Sequence, residues 1–121
     1  MSGDLAMMVV RMRDFDLGLA AERVREVVLV EQWGGDLPPT LAQLVGAEET
    51  GDTVRVLLIM RPGREPLATL VSGTVRLRHV APGELLALPA LLARQVRRIS
   101  HVVVTDGEPP LLVVDVERLT A

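Results

Sequence analysis

Few side chains in this sequence are equipped for chemistry, and their spacing decides how far each can be taken. The two histidines, His79 and His101, both fall in stretches that read as strands, and neither has a neighbour at metal-ligand spacing. A structural role is therefore favoured for each over a metal. Ser100, His101 and Asp106 could supply a nucleophile, a base and an orienting carboxylate. Adjacent strand residues point to opposite faces, however, which predicts that Ser100 and His101 do not hydrogen-bond. Asp14 and Asp16 flank Phe15 in a tight turn, where paired carboxylates ordinarily serve to solvate the turn. Arg61-Pro62-Gly63-Arg64 is a hairpin turn and Gly73 leads into a strand, so no glycine-rich phosphate cradle is present. No catalytic residue, metal ligand or cofactor is assigned, and the expectation is a protein that is not an enzyme.

Arg76, Arg78, Arg94, Arg97 and Arg98 form the one basic concentration. They could bind an anionic patch, or simply solvate a strand edge and a helix face. Without interleaved aromatics they make a poor platform for single-stranded nucleic acid. The net charge of −3 removes the general pull on phosphates as well. A small β-barrel that binds nucleic acid, or another protein-interaction module, stands as the alternative reading.

These residues must be held by a core with almost no aromatic content. Of 121 residues 49% are hydrophobic but only 2% aromatic, Phe15 and Trp33, so Val, Leu, Ile, Met and Ala must fill it. That length suits a single domain. The absence of cysteine excludes disulfides and thiolate chemistry and fits a cytoplasmic location. The start, MSGDLAMMVVRMRD, lacks a basic leader, and the apolar run 85-LLALPALLA-93 is too short to cross a bilayer, so direct membrane insertion is not expected.

Leu5–Met12 and 15-FDLGLA-20 read as strands joined by a tight turn. Ala21, Val24 and Val28 have helical spacing over Ala20–Glu26, predicting one helical turn, and the β-branched Val27–Val30 predicts a strand. Glu31–Pro39 is a loop by composition, and Thr40–Val45 is a short helix closed by Gly46. The runs 53-TVRVLLIM-60, 66-PLATLV-71 and 74-TVRLRHV-80 are strands, the last alternating strictly. Within it Val75, Leu77 and His79 lie opposite Thr74, Arg76, Arg78 and Val80. 82-PGELL-86 starts as a helical turn, 89-PALLARQVRR-98 is a short helix, and 99-ISHVVV-104 with 111-LLVVDVERL-119 makes a terminal hairpin. Short strands, many turns and no βαβ alternation indicate an all-β barrel or sandwich. Val9, Val10, Val24 and Val27–Val30 make the first half nearly continuous in apolar character. Strands buried on both faces would do this, as would a strand whose outer face awaits a partner.

The order of these elements resembles the CheW-like family, the coupling modules of bacterial chemotaxis. The stretch 17-LGLAAERVREVVLV-30 is similar to the family's Gly-x-x-(I/A)-x-x-V-x-E-(I/V) pattern, here Gly18, Ala21, Val24, Glu26 and Val27. 54-VRVLLIMRPGREPLATLVSGTVRL-77 resembles the family hairpin and following strand, and 99-ISHVVVTDGEPPLLVVDVERL-119 the closing hairpin with its Asp-Gly turn. The resemblance implies a mainly β fold, a pair of small SH3-like β-barrel subdomains with short helices. It implies a non-enzymatic adaptor that takes no cofactor. Such an adaptor binds the signalling tip of a chemoreceptor (a methyl-accepting chemotaxis protein) and a CheA-type histidine kinase.

One large departure bears on that expectation. The family continues after its third strand with a V-x-G-V-x-N-L-R-G-x-x-x-P-V-x-D-L stretch, whereas here Gln32–Pro39 runs almost directly into 41-LAQLVG-46, and no Asn-Leu-Arg-Gly occurs. The chain is thus expected to be one domain over residues 1–121, with a second barrel over about 50–115 and a truncated first barrel from 5–48 and the C-terminal end. Ser72 stands in place of the family's usual acidic residue and His101 in place of its glycine. From the receptor-facing groove, the resemblance carries over Val24, Glu26, Val27, Val54 and Leu77. The missing segment implies weakened kinase coupling. It also implies an uncovered face at Val27–Val30, available to a receptor helix, to a second copy by self-association, or to the Thr40–Val45 helix.

Overall fold

The structure, a computed structural model, describes residues 3–48, 51, 53–72, 74–90 and 98–119, with the side chains of 53 and 54 outside that set. Among the described residues nine strands run in chain order: β1 Leu5–Arg11, β2 Asp16–Ala20, β3 Val24–Leu29, β4 Thr53–Ile59, β5 Leu67–Ser72, β6 Val75–Val80, β7 Leu86–Ala87, β8 Ile99–Val103 and β9 Leu111–Val114. They form a six-stranded sheet in the order β6-β1-β2-β9-β8-β7 and a three-stranded sheet in the order β3-β4-β5. The chain is mainly β, as its valine-rich, alternating runs predict.

The six-stranded sheet is apolar on both faces, and its register shows why. Val10 lies opposite Leu17 and Leu17 opposite Leu112, so these three share one face and enter the main core. Met7, Val9, Leu111 and Val113 occupy the other face, in a second cluster with Val80 and Val103. Arg78 of β6 reaches Thr105, beyond β8, with a 2.9 Å hydrogen bond to its Oγ1. In a flat sheet β6 and β9 would stand about 14 Å apart, too far for that reach, so the second face curls closed over its own cluster. Gly18 sits between the two layers because a Cβ there would come within 3.1 Å of Leu111 Cδ1. β2 and β9 pair in parallel, although more than ninety residues separate them in the chain, and that contact joins the N-terminal hairpin to the C-terminal one.

In the three-stranded sheet β4 is central, with Val56, Leu57 and Ile59 all fully buried, and it explains the unbroken apolar run there. The helix α1, Leu41–Val45, is set by a capping box. Thr40 Oγ1 accepts from Gln43 N at 3.1 Å, Gln43 Oε1 accepts from Thr40 N at 3.0 Å, and Gly46 ends the helix at φ 76°. Leu41, Ala42, Leu44 and Val45 are all buried in the main core, alongside Leu57, Ile59, Leu67 and Val71 of the three-stranded sheet.

Several expectations need correction. The helical turn expected over Ala20–Glu26 is a 3-10 turn of Ala21–Arg23 only, and β3 starts at Val24, with a bulge between Val24 and Glu26. The helical spacing of Ala21, Val24 and Val28 is thus a coincidence of a turn followed by a bulged strand. The last strand ends at Val114, where Asp115 caps a 3-10 turn of Val116–Arg118 through its side chain. The two-residue β7, paired with β8, carries no pattern long enough to read. The helix expected over Pro89–Arg98 falls largely on 91–97, which lie outside the described residues.

Candidate functional site

The groups that looked chemically capable are occupied with holding the fold. Asp16 is not a solvating turn residue: it is only 1% exposed, with Oδ2 accepting from Arg76 at 2.8 Å and Oδ1 3.6 Å from Arg11. Arg78 donates to Thr105 and lies 3.7 Å from Glu108. Arg98 donates to the carbonyls of Leu44 and Arg118. Among the described residues the expected basic concentration is therefore spent on internal ties, and Arg94 and Arg97 lie outside that set. The strict alternation of β6 holds, but its arginine face is the one turned toward the second cluster. Its apolar Leu77 is 58% exposed.

Ser100 and His101 also depart from expectation. A bulge between Ile99 and His101 breaks the alternation, and His101 Nδ1 sits 3.0 Å from Ser100 Oγ. The hydroxyl also lies within donating distance of the Val113 carbonyl, at 3.3 Å, and the donor between ring and hydroxyl follows the ring's tautomer. Asp106 stands in the turn of the β8–β9 hairpin, and no hydrogen bond among the described residues joins it to His101. The pair stands at a bulge, and among the described residues no carboxylate bonds to the ring to orient it as the base of a nucleophile. Among the described residues, no group of three or more His, Cys, Asp or Glu is placed to hold a metal ion. No described helix is long and apolar enough to cross a membrane.

A separate set of arginines fastens the C-terminal turn. Arg61 is buried, yet its guanidinium meets only carbonyls: Nε and Nη2 donate to Glu65 O at 3.1 and 2.8 Å, and Nη1 to Leu119 O at 2.7 Å. Arg64 donates to Glu117 O at 3.0 Å, and Arg23 lies 3.2 Å from the Glu117 carboxylate. Elsewhere Glu48 raises the Arg13 pKa, by its hydrogen bond first and its charge second. Arginine is protonated at any working pH, so that exposed pair brings no pH dependence.

What remains open is β3. It is the end strand of its sheet, and its burial alternates poorly: Val24 and Val28 are half-buried while Arg25, Glu26, Val27 and Leu29 are exposed. Val27 lies opposite Leu57 in the register, on the face that joins the main core, yet is 43% exposed, and Leu29 is 44% exposed. The uncovered apolar face expected at Val27–Val30 is therefore present at Val27 and Leu29. α1 packs its apolar side into the main core and leaves both open. Val30 belongs to the following 3-10 turn.

Of the five residues expected to meet a partner, Val24, Glu26 and Val27 share β3, and Leu77 stands on β6 in the other sheet. Leu77 pairs with Met8, and Met8 and Val24 both pack at the margin of the main core, which links the two sets. Val54 lies on β4, and its side chain is outside the described residues. Leu29, within the expected Val27–Val30 face but not among those five, belongs with Val27, two residues further along the same strand. Between the start of β1 and the end of β2 lies an open groove of about 210 Å³ lined by Asp4, Leu5, Ala6, Met7, Ala20 and Glu22.

The fold is similar to that of the scaffolding protein TtCheW from Thermoanaerobacter tengcongensis. The TM-score is 0.67 and the identity 14%, over 92% of this chain and 88% of that one. At that identity the likeness is one of fold. No family model and no curated protein matches the sequence.

Proposed function

We propose that this chain is a non-enzymatic signalling adaptor of the chemotaxis type, which binds the cytoplasmic tip of a chemoreceptor and, more weakly, a CheA-type histidine kinase. The observation that carries the reading is a fold shared over 92% of the chain with a scaffolding protein, in a molecule whose reactive side chains are consumed by structural ties. Val24, Glu26, Val27, Val54 and Leu77 are the docking residues. The half-exposed Val27 and the exposed Leu77 give a helical receptor tip apolar surface to cover, with Glu26 at its edge. Kinase coupling is weakened by the absence of the segment that would follow β3.

Calorimetry of the chain against a receptor signalling hairpin tests the docking, with a Kd on the order of 10 µM expected. The double variant Val27→Asp, Leu77→Asp should abolish the heat signal while circular dichroism stays unchanged. No binding by the wild-type chain to hairpins from several receptor classes would sink the proposal. In a reconstituted array, partial kinase activation is expected, and full activation would contradict weakened coupling.

A further inference from the structure

We propose that the free edge of β3 is completed by an extended, lysine- or arginine-bearing segment of another protein, added to the three-stranded sheet as a fourth strand. The two edges of that sheet are treated differently. The β5 edge is covered: Thr40 bridges Leu70, and the Pro39 carbonyl accepts from Leu70 N at 2.9 Å and from Thr69 Oγ1 at 2.9 Å. The outer edge of β3 has no backbone partner among the described residues. It also lacks proline and lysine, and its one bulge lies before Glu26, so Glu26–Leu29 stays in regular register with β4. An unblunted run of this kind is a template for strand addition.

The side chains say what kind of strand fits. Val27 and Leu29 are on the core-facing side but a little over two-fifths exposed, at 43% and 44%, so an added strand would finish their burial with apolar residues at alternate positions. Along and beside β3 stand Glu22, Glu26 and Glu31, all exposed, with Arg25 and with Arg23, which is already held by Glu117; Arg25 and the three glutamates form no ion pair among the described residues. A second copy pairing antiparallel about Val27 or Val28 would set Glu26 opposite Val28 or Val30 and Glu22 opposite Gln32 or Gly34, leaving both carboxylates without a cation. A basic segment neutralises them. The added strand would share Val27 and Glu26 with the docking surface proposed above, but the inference is argued from the free backbone of β3 and does not depend on that docking.

The test uses the whole chain and a short fluorescent peptide of alternating valine and lysine. Anisotropy should show binding, and amide hydrogen exchange should slow within Val24–Leu29. The same peptide N-methylated at alternate residues should bind at least about tenfold more weakly, since it keeps its charge but cannot pair along an edge. Glu26→Lys should weaken the valine–lysine peptide roughly two- to tenfold and strengthen a valine–glutamate one. Equal binding of the N-methylated peptide would reduce the effect to surface charge and overturn the proposal. Protection confined to other strands, or absence of binding by the valine–lysine peptide, would overturn it too. A peptide-free dimer in sedimentation equilibrium that protects β3 would assign the edge to a second copy instead.

Discussion

Replacing Arg61 with methionine isolates the value of a buried cation held by carbonyls alone. Methionine keeps much of the volume and removes the charge and all three donors. The Glu65 residue is exposed, so its carbonyl regains water, but Leu119 is fully buried and its carbonyl is left without the 2.7 Å bond from Nη1. An orphaned buried acceptor costs about 1–3 kcal/mol, and loss of bonds from a charged donor falls in the same range. Against this, the folded state no longer desolvates a guanidinium, a relief of a few kcal/mol that the carbonyls had largely offset. The net expectation is destabilisation by about 2 kcal/mol. With an unfolding entropy of about 0.25 kcal/mol/K for a chain of this length, that lowers Tm by roughly 8 °C. Urea denaturation gives the global figure. Hydrogen exchange at Arg118 and Leu119, whose amides bond to Asp115 O and Val116 O, shows whether the C-terminal turn loosens first. Arg61→Lys should recover less than half of the loss, because a point charge cannot reach both carbonyls as a planar fork does. Unchanged or raised stability in Arg61→Met, with the turn still protected, would refute the reasoning and show that desolvation of Arg61 outweighs its bonds.

Three further outcomes follow from the geometry. Thr40→Ala removes the capping box of α1 and should cost about 1 kcal/mol in urea denaturation, with little further loss on adding Gln43→Ala. Gly18→Val forces a side chain against Leu111 and should destabilise by roughly 1–3 kcal/mol. Leu111→Ala in the same chain should restore part of this, a coupling that a double-mutant cycle measures. Arg76→Met leaves the buried Asp16 with only the 3.6 Å contact to Arg11, and should lower stability at neutral pH by about 1–3 kcal/mol, whereas adding Asp16→Asn should return most of it.

How much of this was legible depended on whether the cause was local. α1 could be read because its cap, its proline-flanked entry and its closing glycine all lie within a few residues of it, and β1, β2, β4, β5 and β6 because each is a short, largely apolar run bounded by turn residues, or alternates in sequence as β6 does. The onset of β3 was misplaced because a bulge at Arg25 mimics helical spacing, and the Ser100–His101 contact was missed because a second bulge undoes the rule that adjacent residues diverge. The fate of the arginines could not be read. Asp16 lies sixty positions from Arg76, and Leu119 fifty-eight from Arg61. The open side of β3 was foreseeable from an apolar run that ends in glycines and prolines with no strand following. Leu77 and Val27 standing on different sheets was not, since only the pairing of β6 with β1 decides it.

The parallel pairing of β2 with β9 also sets a schedule. β9 follows the other eight described strands in the chain and lies between β2 and β8, so until residue 114 is made both of those strands have an open side toward the middle of the sheet. At about 5–20 residues per second, Leu17 and Leu19 wait for roughly 5–20 s after translation before their neighbour arrives. The N-terminal hairpin cannot settle as the chain emerges. Folding of this sheet therefore begins in earnest only once β9 has emerged, and until then the flanks of β2 and β8 stand open.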